Sequence, residues 1–401
     1  MSGAGRLELA PPDVEHTRRV AWFRITLAAA LLCSMGLSWR LWTSARLFPL
    51  SPLSRSLPAV PFPFDVLWLL ALLGLLAAIL AVSRAKRFML LFLVLAGALS
   101  LGDQCRWQPW FYQYFFMLAA IVPLAGRQPA QGQLARALNA CRLIVAFTYF
   151  WSGCQKLNAN FFSETWPDMA GPLLQFLPPA IRDWPRFFVY LVPPLEICIG
   201  IGLLARRLRR SAVILAAAMH VLVLAVLVAA GENTVVWPWN AAMIFFVFIL
   251  FWRDEATTPR DILVPRGNRH ALVALLFGVL PAFGLAGLWD SYLSMALYSG
   301  NTEQAVVYVS PAVIARLPAS IRSHVWQGTT PFFLDINRWA YGELNVPVYP
   351  EAGVYRQVTA RICQVAGSSP DIRLRIKEKP DPWTGRRKSE FYDCNHLFED
   401  R

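Results

Sequence analysis

The strongest constraint in this sequence is the grouping of its apolar residues into long blocks, cut apart by short arginine-rich connectors. A helix that crosses the hydrocarbon core of a bilayer needs about 20 mostly apolar residues. Lipid offers no partner to a backbone N–H or C=O, so blocks of this kind must be helical. Nine stretches meet the pattern: Val20–Trp42, Asp65–Ser83, Phe88–Leu101, Pro109–Leu124, Leu134–Gly153, Arg186–Ala205, Ser211–Ala230, Trp237–Trp252 and Ala271–Trp289. Only 16% of residues are charged, against about 25% in soluble domains. The expected fold class is an all-α polytopic membrane bundle of about nine transmembrane helices.

The net charge of +13 does not point to nucleic acid. The arginines sit in loops beside apolar blocks, where they set orientation, and no nucleic-acid module is present. With the N-terminus in the cytoplasm, Arg18 and Arg19, the SRAKR turn, Arg127 with Arg136, the RRLRR turn, and the loop from Arg253 to Arg269 all fall inside. Asp103, Glu232 and the connector 154–184, with Trp166, Pro179 and Trp184, fall outside. This predicts an integral protein of a bacterial inner membrane, N-terminus in and C-terminus out. The expected division is a cytoplasmic arm over 1–19, a transmembrane domain over 20–289 and an extracytoplasmic domain over 290–401.

The last part changes character. AVVYVS, GVYRQVTARICQ and IRLRIKE have strand-like composition, and FLDINRWAYGEL is helical in pattern. A small α+β appendage is expected there. Cys363 and Cys394 would lie in an oxidising space, free to pair, although spacing does not dictate connectivity. No cysteine or histidine spacing suits a metal, so none is expected.

Chemistry concentrates in FTYFWSGCQKLNANFFSETW, residues 147–166. At helical spacing Tyr149, Ser152, Gly153, Lys156 and Asn160 share one face. Lys156 is the one lysine between Lys86 and Lys377. A lysine at a helix end is either an interfacial anchor or a base. Two ionisable residues fall inside later blocks, Glu196 and His220. Charged groups in membrane helices mark function by default, although a hydrogen-bonded structural role suits each as well. Asn240, after the Trp237-Pro238-Trp239 break, suits interhelical hydrogen bonding.

This set, in this order, resembles the vitamin K-dependent γ-carboxylase-like family, also called the horizontally transferred transmembrane (HTTM) domain. The residues that carry the resemblance are Tyr149, Phe150, Gly153, Lys156, Leu157, Asn158, Ala159, Glu196, His220 and the stretch 237–243, with Asp103, Trp107, Tyr112 and Tyr114 upstream. The sequence departs from the family at Gln108, Pro109 and Trp110, and in having no large extracytoplasmic β domain.

The resemblance implies Lys156, Glu196 and His220 as catalytic residues. Tyr149, Ser152, Asn160, Asp103, Trp107, Tyr112 and Asn240 would bind substrate. It implies redox or proton-abstraction chemistry on a quinol or lipid, with Lys156 as base, a quinol or vitamin K-like quinone as cofactor, and membrane lipid or quinone as partner. The alternative is a non-catalytic membrane scaffold or quinone-associated subunit similar to DoxX-like proteins.

Overall fold

The computed structural model describes residues 12–54, 56–125, 132–178, 188–231, 233–328, 330–367 and 370–399. Most of the arm, Arg127, Glu232, Pro179 and Trp184 lie outside them. The chain is a mostly helical membrane protein with a small C-terminal sheet. Among the described residues four helices are long and apolar enough to cross a membrane: His16–Leu37, Phe64–Ala81, Arg209–Ala230 and Asn268–Leu285. Three further apolar helices, Pro109–Leu124, Val189–Leu204 and Val236–Phe251, are shorter. By length and composition these four are candidate spans, and the nine crossings expected from the sequence are not confirmed.

The bundle is arranged around one helix, Gln133–Gln155, termed here the central helix. It is buried on almost every side, polar residues included: Asn139, Arg142 and Thr148 are all inside. That burial explains its composition. A helix facing protein all round can carry polar groups, provided each is paired. Arg142 donates to the Leu250 carbonyl at 2.8 Å and to Asn139 Oδ1 at 2.6 Å, and pairs with Asp254 at 2.7 Å.

The central helix packs most closely against Val192–Leu204, the glutamate helix. Small residues allow the approach. A Cβ added to Gly153 would stand 2.6 Å from the Pro193 carbonyl oxygen, and one on Gly200 would stand 2.7 Å from that of Ala146. Arg209–Ala230, the histidine helix, and Val236–Phe251, the asparagine helix, complete this side.

The C-terminal part holds five strands: β1 (Gln304–Tyr308), β2 (Val325–Trp326), β3 (Phe333–Leu334), β4 (Arg373–Lys377) and β5 (Ser389–Asp393). They form one antiparallel sheet in the order β2-β3-β1-β4-β5. Two strand expectations, at AVVYVS and IRLRIKE, match β1 and β4. The third is corrected: GVYRQVTARICQ lies in a helix, Ala352–Ala366. Its buried Val354, Val358, Ile362 and Ala366 recur every four residues, the period of a helix face. Cys363 on this helix is disulfide-bonded to Cys394.

The appendage is tied to the bundle by polar contacts. The Glu343 carboxylate accepts from the backbone N–H groups of Leu47 and Phe48. Asn345 Nδ2 donates to the Leu37 carbonyl at 3.1 Å. The Ala159 N–H donates to the Pro382 carbonyl at 2.8 Å.

Candidate functional site

Lys156 caps the central helix, one residue beyond Gln155, and is buried. Its side chain is only 8% exposed. Nζ lies 2.9 Å from Glu196 Oε2 on the glutamate helix and donates to the Ser152 hydroxyl one turn back. A second polar chain starts one further turn back. Tyr149 Oη meets His220 Nε2 at 2.7 Å, and His220 Nδ1 meets Asn240 Oδ1 at 2.8 Å. Asn240 Nδ2 donates to the Val236 carbonyl at 2.8 Å, which fixes Oδ1 as the acceptor. His220 therefore carries its proton on Nδ1 and accepts the tyrosine hydroxyl on Nε2.

Both chains face one cavity of about 340 Å³. The rest of its lining is mainly apolar, with Met219, Val223 and Met243 among the walls. Leu195, Leu215 and Leu222 belong to the lining yet are exposed, so the cavity opens sideways between the glutamate and histidine helices. Its end is covered by two irregular pieces. One is a π-helical turn at Phe161–Thr165 leading into the helix Trp166–Leu174, which contribute Phe161, Trp166 and Met169. The other is the segment after the last apolar helix, which contributes Met295, Leu297 and Tyr298. Met295 and Tyr298 hold φ of 61° and 56°, a conformation uncommon outside glycine. No sequence signal announced this second piece. Met243, one turn after Asn240, was accessible from helical spacing alone.

The structure thus brings together Lys156, Glu196, His220, Tyr149, Ser152 and Asn240. It places four expected site residues elsewhere. Asp103 is buried in an ion pair with Arg46 and accepts from the N–H of Ser51 at 3.2 Å. Trp107 sits in an aromatic cluster against Phe111 and Phe115. Tyr112 stacks on Phe277 and donates to the Leu276 carbonyl at 3.3 Å. Asn160 is buried beside Gly300, off the cavity wall. Its expected place on the Tyr149 stripe is corrected because the helix ends at Gln155 and the spacing ends with it.

Just beyond the last apolar helix, three carboxyl groups and Lys379 gather where the appendage meets the bundle. Burial, and next the Glu351 carboxylate, raise Asp290 to about 6 and Glu303 to about 7. Burial lowers Lys379, whose Nζ donates to the Gly284 carbonyl at 3.2 Å. Among the described residues no group of histidine, cysteine and carboxylate side chains is arranged to hold a metal.

One family profile matches the chain. It is described as "Methylamine utilisation protein MauE" and covers residues 134–236, about a quarter of the sequence. No curated protein and no solved structure matches. The matched stretch contains Tyr149, Lys156, Glu196 and His220, four of the residues on which the carboxylase resemblance rested. The resemblance to the vitamin K-dependent carboxylase-like (HTTM) family is therefore corrected: what this stretch is similar to is MauE. Both functions drawn from the sequence go with it, proton abstraction from a quinol or lipid by Lys156 and the DoxX-like scaffold.

Proposed function

We propose that the helical core binds a mainly hydrocarbon molecule with one polar group, taken up sideways from the bilayer. One observation carries this reading. A Lys156–Glu196 pair and a Tyr149–His220–Asn240 chain line one side of a cavity whose other walls are apolar. Binding sites of this type combine apolar walls with a few placed polar groups, and 340 Å³ is within their usual size. The similarity to a methylamine utilisation protein supports a place in amine use. A one-carbon amine is too small and too polar for this cavity, so the chain is read as a membrane component serving that use.

The same reading includes the finer topology: N-terminus in the cytoplasm, sheet outside, and the shorter apolar helices also traversing the bilayer. Contacts at one end of the bundle support it. Arg19 donates to the Ile249 and Trp252 carbonyls, Arg24 to that of Val82 and Arg206 to that of Glu255. Connectors far apart in sequence thus share one arginine-rich end, as orientation by basic loops requires.

The test is native mass spectrometry of the full chain after mild extraction. The wild type should retain a small amphipathic molecule, and Ala218→Trp, which fills the rim of the cavity from an exposed position, should lose it. A wild type without bound molecule, or an Ala218→Trp protein that keeps it, refutes the reading.

A further inference from the structure

A second cavity, of about 300 Å³, lies at the other end of the bundle from Lys156. Two loops build it, one after the glutamate helix and one after the asparagine helix. Five arginines surround it, Arg206, Arg207, Arg209, Arg210 and Arg253, against two acids, Asp254 and Glu255. Arginines that only set orientation need to lie near the membrane surface. They have no reason to converge on one hollow.

The arginines divide by what they do. Arg209 is buried and braces the two loops. It donates to the Leu203 carbonyl at 2.9 Å on its own side, and to the Asp254 and Thr257 carbonyls at 2.5 and 3.2 Å across the gap. Arg206 and Arg210 reach Glu255 through its carbonyl and its carboxylate. The Arg210–Glu255 pair is 63% and 76% exposed, so it is weak and easily exchanged for another anion. Among the described residues Arg207 and Arg253 have no polar partner at all. Both guanidinium groups are exposed at the rim. Arg253 holds a φ of 55° in the loop that lines the hollow.

We propose that this hollow is a binding site for a phosphate-bearing anion, held by Arg207 and Arg253 with Arg206 and Arg210 in support. Arginine's planar fork suits phosphate oxygens, and basic hollows between membrane helices accept anionic lipid headgroups. The surroundings favour a lipid over free phosphate. Leu208, between Arg207 and Arg209, is exposed, and Ile201, Ile214 and Phe248 continue an exposed apolar surface along the helices below. Acyl chains would lie along that surface with the phosphate in the hollow.

The experiment uses the full chain in nanodiscs of phosphatidylcholine alone and of phosphatidylcholine mixed with phosphatidylglycerol. Retained lipid is read by native mass spectrometry. A parallel arm measures the melting temperature in detergent with inorganic phosphate or chloride at equal ionic strength. The wild type should retain phosphatidylglycerol preferentially, and Arg207→Gln/Arg253→Gln should reduce that preference on the order of tenfold. Neither arginine supports the fold, so the variant should remain folded. Arg84→Gln/Arg87→Gln removes the same charge from exposed positions outside the hollow and should change little. Equal loss in that control, or no preference in the wild type, overturns the lipid site. Stabilisation by inorganic phosphate that the Arg207/Arg253 variant abolishes, without lipid preference, assigns the hollow to a soluble phosphate compound. No response in either arm overturns the proposal outright.

Discussion

Breaking the Lys156–Glu196 pair tests the energetics of the site most directly. The two side chains are only 8% and 9% exposed and their charged atoms are 2.9 Å apart. At an effective dielectric constant of about 20, the gross attraction at that distance is about 6 kcal/mol. Desolvation of both ions offsets much of it, so the net value of the pair is small. Removing one partner is different, because it leaves a buried charge without compensation, at a cost of about 3–5 kcal/mol. Lys156→Met and Glu196→Gln should each destabilise the protein by about 3 kcal/mol. The double variant leaves neither charge and should be less destabilised than the sum of the two by at least ~2 kcal/mol. Reversible unfolding in mixed micelles, with wild type, both singles and the double variant, measures this coupling. Additivity within ~0.5 kcal/mol would mean that the two groups do not depend on each other. The reading of the cavity as having a paired, charge-neutral polar side would then be wrong.

Further outcomes follow from other contacts. Gly153→Ala and Gly200→Ala should each destabilise by about 1–3 kcal/mol or more, since the added methyl meets backbone atoms that cannot move aside; thermal melting in detergent checks this. His220→Ala leaves the Tyr149 hydroxyl and Asn240 Oδ1 unpaired and should cost about 1–3 kcal/mol; a change below ~0.5 kcal/mol would remove the polar chain as a structural element. Replacing Cys363 and Cys394 by serine opens a loop of 31 residues and should cost the appendage about 3–4 kcal/mol, seen as faster proteolysis between residues 363 and 394. Asp290 and Glu303 have folded values of about 6 and 7, above the ~4 of unfolded carboxyl groups. Protons are bound more tightly in the folded state, so this contribution is fully present below pH ~4 and is lost as pH rises through 6 and then 7. Melting of the appendage should fall across that window, and Glu303→Gln should flatten the upper half of it.

The parts of this protein legible in the sequence are those that depend on neighbours along the chain. The apolar blocks gave helices close to the expected positions because hydropathy is a local property. Glu196 and His220 drew attention as polar residues within such blocks, and both line the cavity. What escaped was the rotation of each helix about its axis, and that decides partners. Asp103 shares no wall with Lys156, because its carboxylate is taken up by Arg46 in a loop. Tyr112 turns towards Leu276 and Phe277. The strand assigned at GVYRQVTARICQ failed for another reason. Valine, tyrosine, threonine and isoleucine have strand propensity, but their spacing of four is helical, and burial followed spacing.

Arg142 carries a consequence for how the protein is made. Its guanidinium is buried in the central helix and depends on Asp254 and the Leu250 carbonyl, which are synthesised roughly a hundred residues later. At ~5–20 residues per second the interval is several to ~20 s. A charge at the middle of a membrane helix opposes insertion by about 2.5–3.5 kcal/mol. During that interval the Arg142 guanidinium has Asn139 Oδ1 on its own helix but neither the Asp254 carboxylate nor the Leu250 carbonyl. Under the proposed topology, a central helix placed in the bilayer would be fully compensated only once the asparagine helix and its trailing loop arrive. Chains stopped before Asp254 should therefore be cleared by quality control, while chains stopped soon after it should persist.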